Sequence, residues 1–168
     1  MIVLASGPMK SGTHMLQRAL QLAGVDSIHG HWPHGEAPPS DRHVHIVRRE
    51  RRNCLVSMLR FRSIPISEAT LIEGLRDYAH GMTMATYFAQ FDGYLDDPDV
   101  FLVHYEDMLR TRDPLRLMCA YIGVDYPADL FERLPFEQTP TRNDRPSHWP
   151  DVWTPAVEAV WQEAMGDG

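Results

Sequence analysis

Lysine is almost missing from this chain: Lys10 is its only one, against fifteen arginines in 168 residues. Cysteine is nearly as scarce. Cys54 and Cys119 sit inside apolar helical patterns rather than at framework spacings, which predicts buried thiols of a reduced cytoplasmic protein. No apolar run approaches the roughly 20 residues that cross a bilayer, so no membrane partner is expected. The opening MIVLASGPMKSG lacks a basic stretch and a long apolar segment, so a signal peptide is not expected either. Internal repeats and low-complexity tracts are absent. What remains is an ordinary globular balance, 43% hydrophobic and 23% charged, over a length that suits one domain spanning residues 1–168.

The net charge of −7 argues against a general nucleic-acid binder, yet positive charge is concentrated. Between Arg42 and Arg62 seven arginines face one acid, Glu50, a local +6 that leaves −13 for the rest of the chain. A basic island in an acidic protein suits a small, highly charged anion better than a long polyanion.

Met1 to Ser6 is an apolar run ended by Gly7-Pro8 and predicts a buried parallel strand. Gly12 to Ala23 carries Met15, Leu16, Ala19, Leu20 and Ala23 at helical spacing and stops at Gly24. Strands are expected at Asp26–His31, His43–Arg48 and Val100–His104. Helices are expected at Asn53–Phe61, from Glu68 after a Ser67 cap to about Phe91 with a break near Gly81, and near Pro114–Ile122 and Ala128–Leu134. The last runs over Thr154–Met165, with Thr154 as cap and Pro155 at its first position. Apolar strands alternating with helices predict an α/β fold: three layers, with a mostly parallel sheet of about four strands flanked by helices.

The strongest local signal is Gly7 to His14, GPMKSGTH, placed between the first strand and the first helix. A loop in that position turns backbone N–H groups toward a phosphate at the positive end of the helix dipole. The spacing of Gly7 and Gly12 matches the start of a Walker A loop, but Thr13 and His14 stand where its lysine and hydroxyl should be, and the lysine precedes the second glycine. A second signal is Val47 to Ser57, VRRERRNCLVS, which also leaves a strand for a helix. It puts Arg49 at the sheet edge where open α/β folds bind ligands.

Taken together these stretches resemble the sulfotransferases that use 3′-phosphoadenosine 5′-phosphosulfate (PAPS). The family's PKSGTTW loop is similar to Pro8–Met15, its RNPRDVAVS motif to Arg49–Ser57, and its strand ending in Tyr-Glu-Asp to Val100–Leu109. A helix near Pro114 closing with Tyr121-Ile122-Gly123 follows as in the family, and Arg142–Trp149 keeps the arginine and tryptophan of an RKGxxGxW motif without its glycines. The resemblance implies that Lys10, Ser11, Gly12, Thr13 and His14 hold the 5′-phosphosulfate end and that Arg49 and Ser57 hold the 3′-phosphate. It further implies that Tyr105 contacts the adenine, Phe136 stacks on it and Arg142 closes over the 3′-phosphate. The product would be adenosine 3′,5′-bisphosphate (PAP).

The same resemblance makes His31, in Gly30-His31-Trp32-Pro33, the catalytic base that takes a proton from an acceptor hydroxyl or amine. Lys10 would stabilise the departing phosphate oxygen, and no metal is then required. Two departures stand out. His29 occupies the place where many members have a lysine, and the short link Gln17–Ser27 implies a trimmed, open acceptor site suited to a group carried on something large, such as a glycan or protein.

Other readings compete. His29, His31, His34, His43 and His45 could be metal ligands, since His-x-His on a strand turns both rings to one face. A deviant phosphate-loop kinase or nucleotide hydrolase would use magnesium held by Glu106 or Asp107. A nucleotide-binding module without turnover is the third alternative.

Overall fold

The computed structural model describes residues 1–134 and 149–165. In chain order the elements are β1 (Val3–Ser6), α1 (Thr13–Leu22), β2 (Ser27–Gly30), β3 (Arg42–Val47), α2 (Arg52–Phe61), α3 (Glu68–Arg76) and α4 (Met84–Ala89). A 3₁₀ turn over Asp92–Leu95 then leads to β4 (Val100–His104), α5 (Tyr105–Arg110), α6 (Asp113–Ile122) and α7 (Leu130–Arg133), and α8 (Pro155–Met165) closes the series. The four strands form one all-parallel sheet in the order β2-β1-β3-β4, flanked by helices as the alternating pattern predicts.

The described chain falls into two compact units. The first holds Met1–Arg49 and the chain from Phe91 to Leu134, and so contains the whole sheet. Its β1 is buried at every position because apolar side chains serve both faces. Val3, Ala5, Val44, Ile46 and Val103 share one core with Met15, Leu16, Ala19 and Leu20 of α1 and with Leu115, Met118, Cys119 and Ile122 of α6. Gly123, with φ 83°, ends α6 in the left-handed conformation that glycine reaches without a Cβ penalty.

The opposite strand positions carry Ser6, His43 and His45, all buried. The His-x-His spacing does bring both rings to one face, but they converge on a hydroxyl: Ser6 Oγ lies 2.5 Å from His43 Nε2 and 2.7 Å from His45 Nδ1. Burial pushes the His45 pKa down to about 3, so the ring is neutral.

The second unit holds Glu50–Gln90 and residues 149–165. Ser67 caps α3 by accepting from the Thr70 amide, with the reciprocal bond completing a capping box. The helical segment expected from Glu68, with its break near Gly81, is two helices. It ends at Arg76, turns through Gly81 (φ 73°), and restarts at Met84 under a Thr83 cap. Arg52 lies over the rings of Trp149 and Trp161, each 4.6 Å away, and pairs with Glu158 at 2.9 Å. Trp161 is buried. Both cysteines are buried, and neither is in a disulfide.

Candidate functional site

The loop after β1 owes its shape to two left-handed residues, Lys10 (φ 68°) and Gly12 (φ 109°). Alternation of hand over neighbouring residues gathers backbone N–H groups into a concavity for an anion. A side chain at Gly12 would also run into the Tyr105 ring, so this position needs glycine for φ and for space. Ser11 is fully buried, and its hydroxyl donates to the Pro8 carbonyl at 2.6 Å, closing the loop on itself. Thr13 is buried at the first position of α1, whose leading amides have no acceptor within their own helix.

Lys10 is half-buried, and desolvation brings its pKa down to about 8. His14 faces His29 with ring centroids 5.1 Å apart, and His29 faces His31 at 6.4 Å. The His14 pKa is lowered, first by burial and then by the basic neighbours His29, His31 and Lys10. An anion placed beside Lys10 and His14 would favour their charged forms.

His31 follows β2 and is tied to the phosphate loop, with Nδ1 2.7 Å from the Gly7 carbonyl oxygen. A carbonyl only accepts, so Nδ1 carries the hydrogen and the neutral ring keeps its lone pair on Nε2. Tyr94, which sequence reasoning missed, holds the residues just beyond. Its hydroxyl donates to the carbonyls of Pro33 (3.1 Å) and Trp32 (3.3 Å), while its ring stacks on His45 at 4.3 Å.

Arg49 stands just past β3, where its guanidinium forms a bidentate pair with Asp107, both bonds 2.7 Å. Hydrogen bonding to Arg49 holds the Asp107 carboxyl below the usual carboxylate range. Arg48, counted only as part of the basic island, is placed closer to the loop. It donates to the Lys10 carbonyl at 3.4 Å, and its guanidinium lies 4.5 Å from the Tyr105 ring centroid. Its Nε is buried without a hydrogen bond, 4.0 Å from Glu106. A buried cationic N–H lacking an acceptor beside an N–H-rich loop fits an anionic ligand.

The first unit holds Lys10, Ser11, Gly12, Thr13, His14, His31, Arg49 and Tyr105. Ser57 lies on α2 in the second unit, and Phe136 and Arg142 fall outside the described residues. Among the described residues no group of three or more His, Cys, Asp or Glu side chains is arranged to hold a metal ion, and no helix is long and apolar enough to cross a membrane.

A parallel sheet with a phosphate-type loop after its first strand and a basic segment after its third is, in its architecture, a sulfotransferase fold. The chain matches the crystal structure of mouse sulfotransferase SULT7A1 complexed with PAP, with a TM-score of 0.72 and 17% identity over 99% of this chain and 84% of that one. No protein-family model and no curated protein sequence matches it.

Proposed function

We propose that this protein is a sulfotransferase that moves a sulfonate group from PAPS to an acceptor hydroxyl or amine. The observation that carries the reading is the tie between His31 and Gly7: it puts a candidate base on the anion loop itself, in a fold shared with a PAP-complexed sulfotransferase.

PAPS, when bound, supplies an activated sulfonate with a phosphate as leaving group. The fit rests on the left-handed turns at Lys10 and Gly12, the desolvated Lys10 ammonium and the unsatisfied Arg48 Nε. Lys10 and the leading amides of α1 would hold the 5′ end and would stabilise negative charge on the leaving phosphate oxygen. His31 accepts the acceptor's proton at Nε2, the nitrogen left basic by the bond to Gly7. Arg49 and Ser57 would hold the 3′-phosphate, Tyr105 would contact the adenine, Phe136 would stack on it and Arg142 would close over the 3′-phosphate. The acceptor is a group presented on a large carrier, because little chain separates the loop from His31, and the protein works in the cytoplasm as a single domain.

Two variants separate catalysis from binding. His31→Ala should cut transfer by about 10²- to 10⁴-fold while keeping PAP affinity, and Arg49→Ala should weaken PAP binding. If His31→Ala transfers sulfonate as the wild type does, His31 is not the base. If transfer is undetectable in the wild type while PAP binds, the chain is a nucleotide-binding module.

A further inference from the structure

Asp107 grips Arg49 with the geometry that a guanidinium offers a phosphate. Nη1 donates to Oδ1 and Nη2 to Oδ2, both at 2.7 Å, so the two terminal nitrogens are engaged side by side. The placement follows from the fold. β4 pairs with β3 and passes into α5 without a loop, so the first turn of α5 carries Glu106 and Asp107 to the end of β3. There Glu106 Oε2 also accepts the Arg49 backbone N–H, at 3.3 Å.

A guanidinium paired in this way has little net charge to offer a dianion, and a phosphate brought against it meets a carboxylate of its own sign. The pair is also open to solvent, with the Arg49 side chain 52% and the Asp107 side chain 38% exposed. Opening it costs little desolvation, and exposed ion pairs are weak even when their geometry is good.

We propose that Asp107 is an internal competitor for the 3′-phosphate: it occupies Arg49 in the free protein, yields it when a 3′-phosphorylated nucleotide arrives, and so loosens the hold on the PAP product. Asp107 thereby sets how strongly the site prefers PAP over a nucleotide without a 3′-phosphate. This rests on the sulfotransferase reading for the identity of the nucleotide. The competing geometry, in which Asp107 aims Arg49 at the phosphate, makes the opposite prediction.

Titration calorimetry with PAP and with adenosine 5′-monophosphate, on the wild type, Asp107→Asn, Asp107→Ala and Arg49→Ala, decides between them. Both Asp107 variants should bind PAP about two- to fivefold more tightly than the wild type, with affinity for the monophosphate unchanged. Using two variants at an exposed position guards against a folding defect in either one. PAP binding that is unchanged or weaker in both would overturn the proposal, and weaker binding would make Asp107 a positioning residue. The nucleotide reading is tested separately: a wild type that does not prefer PAP over the monophosphate, together with an Arg49→Ala variant that behaves the same, would overturn that reading and this proposal with it.

Discussion

The Nδ1–H of His31 donates to the carbonyl of Gly7 across 2.7 Å, joining the residue after β2 to the residue after β1. Because β1 and β2 pair in parallel register up to Ser6 and Gly30, their following residues emerge at the same sheet edge. The bond then fixes which ring nitrogen carries the hydrogen. Nitrogen-15 NMR of the imidazole should show His31 in the Nδ1–H form. Tyr94→Phe, which removes the two bonds to the Trp32 and Pro33 carbonyls, should mix the tautomers while preserving the fold; an unchanged spectrum would show that Tyr94 does not brace this loop.

Lys10 should make PAP affinity depend on pH. Desolvation lowers its pKa to about 8, so the free protein carries this charge below pH 8 and loses it above. PAP affinity should then fall between pH 7 and 9, by up to about tenfold, and calorimetry in buffers of different ionisation enthalpy should detect proton uptake on binding at pH 8–9. Lys10→Arg should remove that pH dependence, since a guanidinium stays charged.

Stability should decline in acid through His45. The unfolded imidazole titrates near 6.5 and the folded one near 3, so the unfolded chain binds the extra proton between those values. Its contribution is intact above about pH 6.5 and is lost as pH falls toward 3, at up to about 1.4 kcal/mol per pH unit. His45→Leu should flatten the dependence of chemical-denaturation stability on pH by about one proton; an unchanged slope would place the acid sensitivity elsewhere.

Gly12→Ala should damage the loop twice over, through a φ of 109° and through collision with the Tyr105 ring. A loss of about 1–3 kcal/mol is expected from the backbone conformation alone, together with weaker PAP binding. A variant with wild-type melting and affinity would mean that the loop can refold around a side chain.

Much of this was legible in the sequence where local rules decide. Apolar runs stopped by glycine marked β1 and α1, Ser67 marked the start of α3, and Gly123 marked the end of α6. The loop residues Lys10–His14 announced themselves because a strand, a glycine-bounded turn and a helix follow in order. Helix α5 did not: it is a short stub that starts directly on the end of β4, with no separate cap or periodic stripe to mark it. Arg48 entered the sequence reading only through the basic island, Asp107 only as a magnesium candidate and Tyr94 not at all, for a shared reason. Each gains its role from a partner far along the chain: Arg48 from Lys10, Tyr94 from Pro33 and His45, and Asp107 from Arg49. Sequence spacing carries no record of those pairings.

The most direct test of the account is thermal melting of the protein with PAP, with ADP, and with ATP plus magnesium, at matched concentrations. At 100 times the dissociation constant a ligand adds about 2.7 kcal/mol, which for a domain of this size raises the midpoint by roughly 5–11 °C. The account predicts that rise for PAP, with loss of most of it in Arg49→Ala. A rise only with ATP and magnesium would contradict it and assign the loop to a kinase or nucleotide hydrolase.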